Sequence, residues 1–379
     1  DLAALRAHAT AIRAALPAPV ELHYAAKANP AAPLLRELSV VVDGFEVASG
    51  GELDHVRSAV PSAALAFGGP AKTDTELVAA LRAGVHRIHV ESVHELRRIG
   101  LLAARTGTRA HVLLRVNLPV TTGSVVLGMG GGQFGIAPAD VPECLDVIRA
   151  RETLICHGIH AHLASGLAAA DQVEVARATV DWACRNGFTE INVGGGMAVD
   201  YTAPEARYDW ATLGAGLRDI LAAAGDVRLR VEPGRAVSAY CGWYVASVVD
   251  VKRAGGEAFA AIAGGTHHLR TPAAKGHDQP FDVLAVPTWD LPWARPAAVA
   301  EPVTVVGQLC TPKDVLARRV PVDRLRAGDR VAFGMAGAYA WNISHQDFLM
   351  HPRPTFHYLS KRRVACRSEP ARHAADSTQ

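Results

Sequence analysis

Residues 63–104 read AALAFGGPAKTDTELVAALRAGVHRIHVESVHELRRIGLLAA, and this stretch carries the grammar of the first part of the chain. A short apolar run, Ala63–Phe67, leads into a helical segment, Asp74–Ala83, then a second run, His86–Val90, and a second helix, Val93–Ala104. Strand and helix alternating at this spacing is the pattern of parallel β/α units. It extends in both directions. Further strands are expected at Glu21–Ala26, Val40–Val47, Ala110–Val116, Ile155–Leu163, Thr189–Val193 and Val227–Glu232. Eight β/α units in about 240 residues fit a closed TIM (β/α)8 barrel better than an open sheet.

Near Ala236 the pattern changes. Trp243–Lys252, Phe259–Ala263, Val303–Leu309 and Arg330–Phe333 read as strands with almost no helix between them. The expected organisation is an α/β barrel over residues 1–238, a smaller all-β domain over 239–360, and a flexible tail over 361–379. Thr271–Ala300, rich in Pro, Trp and His, reads as a long loop.

Composition narrows the function classes. A chain of 379 residues with 49% hydrophobic residues can bury a sizeable core. Lys+Arg 39 against Asp+Glu 37 leaves a net charge of +2, no footprint for nucleic acid or an anionic membrane. No apolar run approaches the ~18 residues of a spanning helix. The cysteines Cys144, Cys156, Cys184, Cys241, Cys310 and Cys366 are scattered without a C-x-x-C pair. Reduced thiols in a cytoplasmic protein are the plain expectation.

In a barrel of this kind reactive groups belong at the C-terminal ends of the strands. The first strand ends in Lys27 (Y-A-A-K-A-N) and the second in G-F-E-V-A-S-G-G-E-L, with Glu46. The sixth ends in H-A-H-L-A-S-G, with His162, and the seventh in Gly194, Gly195 and Gly196. The eighth ends in Glu232-Pro233-Gly234-Arg235. A lysine in such a mouth can form a Schiff base when its surroundings lower its proton affinity. Three glycines let backbone N–H groups approach a phosphate, and Arg235 can neutralise one. Glu232 can hold a ring nitrogen protonated, and His162 can lie flat on an aromatic ring. Taken singly, each has a bland alternative: a surface lysine, a tight turn. Together they describe a pyridoxal phosphate site.

These motifs, with C-x-x-x-D and G-A-Y following in order, resemble the alanine-racemase-fold (fold type III) pyridoxal phosphate-dependent decarboxylases over about Val20 to Tyr358. The resemblance implies that Lys27 bonds pyridoxal 5'-phosphate, His162 stacks on the ring and Glu232 meets its nitrogen. It implies that Ser165, the Gly194–Gly196 run, Gly234, Arg235 and Tyr339 surround the phosphate, with Glu46 near the lysine. It further implies a homodimer with shared active sites. There Cys310 of C-T-P-K-D enters from the partner and protonates Cα after CO₂ leaves. The extra N-terminal strand of the family is not seen after Asp1, and a start trimmed before that residue is the expectation.

The departures point to the substrate. Diamine-forming members carry an acidic residue after the cysteine, whereas here Thr311 follows Cys310. The segment after Gly264-Gly265 brings His267, His268, Arg270, Lys275 and His277 together, a basic cluster suited to an acidic substrate. His267, Arg270, Thr311 and Asp314 are the expected substrate contacts. The blocks C-T-P-K-D-V-L-A and G-A-Y-A-W-N-I-S-H-Q-D-F-L-M-H-P-R-P resemble the citrate-siderophore decarboxylases of the staphyloferrin B type. A citryl-diaminopropionate-like amino acid is the implied small-molecule substrate. The alternatives are a diaminopimelate, ornithine or arginine decarboxylase, or a non-catalytic pyridoxal phosphate-binding regulator. No metal is expected: on a strand His160 and His162 share one face and His157 takes the other, which makes a three-histidine cage awkward. Gly130–Gly135 matches a dinucleotide fingerprint by accident, since no strand runs through it into a helix.

Overall fold

The computed structural model describes residues 1–122, 125–126 and 132–360, so the expected tail and the first glycines of Gly130–Gly135 lie outside the described residues. The barrel strands are β1 (Val20–Ala25), β2 (Gly44–Val47), β3 (Leu65–Phe67), β4 (Arg87–Val90), β5 (Ala110–Arg115), β6 (Leu154–His160), β7 (Glu190–Asn192) and β8 (Arg228–Val231). They are parallel and follow one another round a closed ring that β1 and β8 complete, with Val20 opposite Leu229. Helices outside the ring bury one apolar stripe each, as the 3.6-residue period requires. Three successive strand-to-helix turns use the same device. Ser49, Thr73 and Ser92 each cap a helix by accepting the backbone N–H of a glutamate three residues on, Glu52, Glu76 and Glu95.

The second strand is shorter than expected. Val41 and Val42 donate their N–H groups to Leu38 O and close the preceding helix instead of entering the sheet. The barrel interior is also unusual in being polar. At its floor Arg87 makes a two-pronged contact to Glu190, with Nε at 2.9 Å and Nη2 at 2.7 Å, and Arg230 joins Glu190 and Glu21. Above this ionic floor lie His23, His89, His160 and Asn192, all buried. The His23 ring fits because residue 44 is glycine: a Cβ there would come within 2.7 Å of it.

The second domain is a six-stranded sheet formed by β9 (Tyr244–Ala254), β10 (Glu257–Ile262), β11 (Phe281–Leu284), β12 (Ala297–Val306), β13 (Val315–Arg326) and β14 (Arg330–Phe333). Its order is β11-β14-β9-β10-β12-β13, and β10 and β12 run parallel. Two expectations need correction. Thr271–Ala300 is not one long loop, since it holds a helix at Thr271–Lys275, strand β11 and the start of β12. Strand β13, VLARRVPVDRLR, was hidden by its charges and Pro321. Both are the habits of an edge strand, where outward charge and a missing N–H are tolerated.

The chain returns from this sheet to the barrel mouth. Tyr339 N donates to Ala28 O at 2.7 Å, Asn29 Nδ2 to Gly337 O at 2.9 Å and Asn342 Nδ2 to Lys27 O at 2.6 Å. These three bonds tie the turn that carries Lys27 to the second domain.

Removing one member of the ionic floor strands its buried partners. Glu190→Ala is expected to lower stability by about 3–5 kcal/mol in urea unfolding, against about 0–1 kcal/mol for the exposed Arg149–Asp146 pair. A loss under about 1 kcal/mol at Glu190 would contradict this picture of the floor.

Candidate active site

One cavity of about 630 Å³ opens at the C-terminal ends of the barrel strands. Lys27, Glu46, His162, Ser165, Gly195, Gly196, Glu232, Arg235 and Tyr339 all line it. Lys27 stands on a single 3-10 turn, Ala26–Ala28, directly after β1. Its Nζ donates to Glu46 Oε2, because β1 and β2 place Ala25 opposite Glu46. Burial works against the Lys27 charge, but Glu46, Tyr339 and Glu232 outweigh it and hold the ammonium above its ordinary range. Burial pushes the Glu46 carboxyl up, against the pull of Lys27. This pairing raises the proton affinity of Lys27 rather than lowering it as expected, and Glu46 is the base in hydrogen-bond contact with the proton that Lys27 must shed before it can bond an aldehyde carbon.

His162 accepts the N–H of Gly195 on Nδ1 at 3.2 Å, which leaves the proton on Nε2. Burial, then the charges of Lys27 and Arg115, lower its pKa to about 4. The ring is neutral at neutral pH, as a flat apolar lid on an aromatic group should be. The glycines beside it are required sterically. A Cβ on Gly195 would lie 2.4 Å from Glu232 O, and one on Gly196, where φ is +96°, 2.2 Å from Ala164 O. This bare backbone forms a cradle facing Arg235. The Arg235 Nη1 donates to Tyr201 Oη at 2.8 Å and its guanidinium lies 4.5 Å from the Tyr339 ring centre, and it has no carboxylate partner among the described residues. Tyr339 is held at φ +50°, a strained backbone pinned by its bond to Ala28.

On the opposite wall the Glu232 carboxylate receives Asn192 Nδ2 at 2.6 Å and has His160 Nε2 at 3.3 Å. Burial opposes its charge, but His89, His23, Asn192 and Arg230 hold it below the usual carboxylate range. The set fits pyridoxal phosphate: an amine, a cradle with an unpaired arginine, and an ionised carboxylate on the far wall. His89, His160 and Glu232 bring three possible ligand atoms within 4.8 Å of one another. Lys27, Arg115 and Arg230 surround them with positive charge, which disfavours a divalent cation.

Other expected residues lie elsewhere. Gly194 packs beneath His162 and Gly234 against Ala25 and Ala28. Cys310 is exposed on the second domain and, with Thr311, does not line the cavity of its own chain. Three expected substrate contacts are corrected. Asp314 accepts Thr266 N, Thr266 Oγ1 and Leu309 N at 2.6–2.8 Å, so it ties its own turn to the loop that carries Thr266. His267 is buried against His268 and His351, and Arg270 is exposed outside the cavity. The cationic loop reaches the cavity through Lys275 and His277 instead. His277 stacks on Tyr201 at 4.1 Å. His89, Asn192, Arg115 and Tyr201 were not anticipated. The inward alternation of β4 (Arg87, His89) and β7 (Glu190, Asn192) was the available signal.

Comparison with known proteins follows this geometry. The family profile described as "Pyridoxal-dependent decarboxylase, pyridoxal binding domain" matches residues 2–239. The chain is 37% identical over 372 residues to the 2-[(L-alanin-3-ylcarbamoyl)methyl]-2-hydroxybutanedioate decarboxylase of Staphylococcus aureus, covering 95% of this chain and 93% of the relative. It is 33% identical over 345 residues to the diaminopimelate decarboxylase of Deinococcus radiodurans, covering 88% and 82%. In fold it is similar to the diaminopimelate decarboxylase of Helicobacter pylori solved with L-lysine, with a TM-score of 0.80, 23% identity and coverage of 91% and 87%.

The buried neutral histidines set a pH dependence. His23 and His162 have pKa values lowered to about 3 and about 4 by burial, then by Arg230 and Lys27 respectively. The unfolded chain takes up protons from about pH 6.5 downward, while the folded one refuses them. Stability is thus complete above about pH 6.5 and falls as pH drops toward about 4. The slope is up to about 1.4 kcal/mol per pH unit for each histidine. Urea unfolding at pH 7 and pH 5 checks this, and a flat profile would contradict it.

Proposed function

The chain belongs to the pyridoxal-dependent decarboxylases, and from that premise we propose that it removes CO₂ from an amino acid with a carboxylate-bearing arm. The favoured substrate is citryl-diaminopropionate, with a citryl-amine as product in cytoplasmic siderophore biosynthesis. The observation that carries this is the 37% identity, across nearly both whole chains, to a decarboxylase of a hydroxybutanedioate-bearing alanine. The cavity supports it. Glu46 and Glu232 are the two carboxylates that line it, and both are engaged, by Lys27 and by Asn192. A distal ammonium, as in diaminopimelate or ornithine, finds no free partner among the described lining residues. Lys275 lines the same space and has no acidic partner among the described residues.

Pyridoxal phosphate, when bound, draws off the electron pair of the bond that breaks at Cα. Lys27 would anchor it, Glu46 would take up and return the lysine proton, and Glu232 would face the ring nitrogen as an anion. The Gly195–Gly196 backbone, Ser165, Arg235 and Tyr339 would hold the phosphate, and His162 would cover the ring. The Cα–carboxylate bond breaks, CO₂ leaves without the bonding pair, and that pair is finally shared with the proton that replaces CO₂ at Cα. Cys310 of a second copy is the proposed donor of that proton. The support is that Cys310 is exposed and absent from its own chain's cavity. The part of the chain after residue 242 also exposes Trp243, Val245, Val249, Leu284 and Met350, apolar side chains that a homodimer could cover.

Released CO₂ measured with citryl-diaminopropionate beside meso-diaminopimelate tests the substrate. A kcat/KM at least about tenfold higher for the former is expected, and preference for the diamine would overturn the reading. Cys310→Ala is expected to bind cofactor normally and lose most turnover, by about 10²-fold or more. Unchanged product formation would remove Cys310 from the mechanism.

A further inference from the structure

Glu232 does not stand alone at the cavity wall. Its Oε1 receives Asn192 Nδ2 at 2.6 Å, its Oε2 lies 3.3 Å from His160 Nε2, and His89 Nε2 is 3.8 Å from Oε1. The His89 and His160 rings are stacked nearly parallel, with centres 4.2 Å apart and planes 15° from each other. They come from β4 and from β6, on opposite sides of β5, so the pair bridges the barrel interior over the carboxylate. Both rings are buried, and both line the cavity.

We propose that His89 and His160 are positioning residues, which fix the rotation of the Glu232 carboxylate and leave its whole negative charge to the cofactor's ring nitrogen. This rests on the reading above that Glu232 faces that nitrogen. The assignment of protons follows from the contacts. A lone pair on His160 Nε2 would repel the carboxylate, so Nε2 carries the hydrogen and sets its N–H dipole beside Oε2, a close contact without hydrogen-bond alignment. His160 Nδ1, which is buried without a partner, is then the bare lone pair.

Neutrality matters as much as direction. A protonated imidazole 3.3 Å from Glu232 would close an ion pair and cancel the field at the ring nitrogen. A neutral N–H turns the carboxylate without cancelling it. The surroundings enforce the neutral form. Burial comes first, and the charges of Arg115 on β5, Lys27 after β1 and Arg230 on β8 repel a further positive charge at His160. At His89 burial is joined by His160, Arg230 and Lys72, against the opposite pull of Glu232. Asn192 from β7 supplies the second neutral donor. An uncharged donor on Oε1 and an uncharged imidazole beside Oε2 thus leave the ring nitrogen as the charged group that Glu232 meets.

The test uses protein stripped of cofactor and titrated with pyridoxal phosphate. The dissociation constant and the pH dependence of the bound chromophore's absorbance are both read. His160→Leu is expected to weaken binding at least tenfold and to lower the pH at which the ring nitrogen loses its proton. His160→Asn, which keeps a donor, is expected to fall within about threefold of the wild type. His89→Phe, which keeps the stack, should behave likewise, while His89→Ala should weaken binding. Wild-type affinity and an unchanged pH profile in His160→Leu would overturn the proposal, as would equal damage from His160→Asn. Should His160→Leu not fold, the His89 variants decide: Ala weaker than Phe supports the proposal, and equal behaviour overturns it. A wild-type protein that binds no pyridoxal phosphate would instead refute the reading of the site itself.

Discussion

A carboxylate that stays ionised inside a closed barrel is the constraint on which much else depends. Glu232 is buried, and burial alone would favour its neutral form. The barrel answers with a polar interior where such folds more often pack branched apolar side chains. Arg230 stands two residues before Glu232 on β8, so the strand's alternation sends both inward. Arg230 in turn needs Glu21 and Glu190, and Glu190 needs Arg87. The ionic floor and the active carboxylate are parts of one charge arrangement. Neutral histidines and Asn192 fill the layer between them, and glycine at position 44 makes room for one of those rings.

The lysine side of the cavity is held differently. Lys27 sits on a turn rather than in a strand, and its position depends on bonds from the second domain to Lys27 O, Ala28 O and Asn29. The β-domain therefore shapes the site of its own chain through Tyr339 and Asn342. In the proposed dimer it also supplies Cys310 to the other chain. Such a division explains why a complete barrel carries a second domain at all. Under that proposal the substrate arm would lie between two sources of specificity, Lys275 in the same chain and Thr311 of the other copy.

Much of this was legible before any coordinates. All eight barrel strands were read, because each alternates with a helix whose cap and apolar stripe are local features. That Lys27, Glu46, His162, Glu232 and Arg235 share one cavity was legible because strand ends in a barrel converge whatever their distance in sequence. What escaped the reading depends on three dimensions. Strand β13 is masked by the charges and proline that suit an edge. Asp314 looked like a binding residue but is consumed by three backbone and hydroxyl donors from its own neighbourhood. His267 looked like part of a cationic mouth but points into the β-domain, while Lys275 and His277 reach the cavity after Gly276 turns the chain at φ +69°. His89 could not be told from an ordinary strand residue until its ring was seen against His160.

The central claim is that Lys27, and no other lysine, carries the cofactor opposite Glu232. Its most direct test is borohydride reduction of the protein loaded with pyridoxal phosphate, followed by peptide mass spectrometry. A pyridoxyl group on Lys27, abolished together with the visible chromophore in Lys27→Ala, is the predicted result. A pyridoxyl group on Lys72 or Lys275 instead, or an unmodified Lys27 in protein that decarboxylates its substrate, would contradict the account.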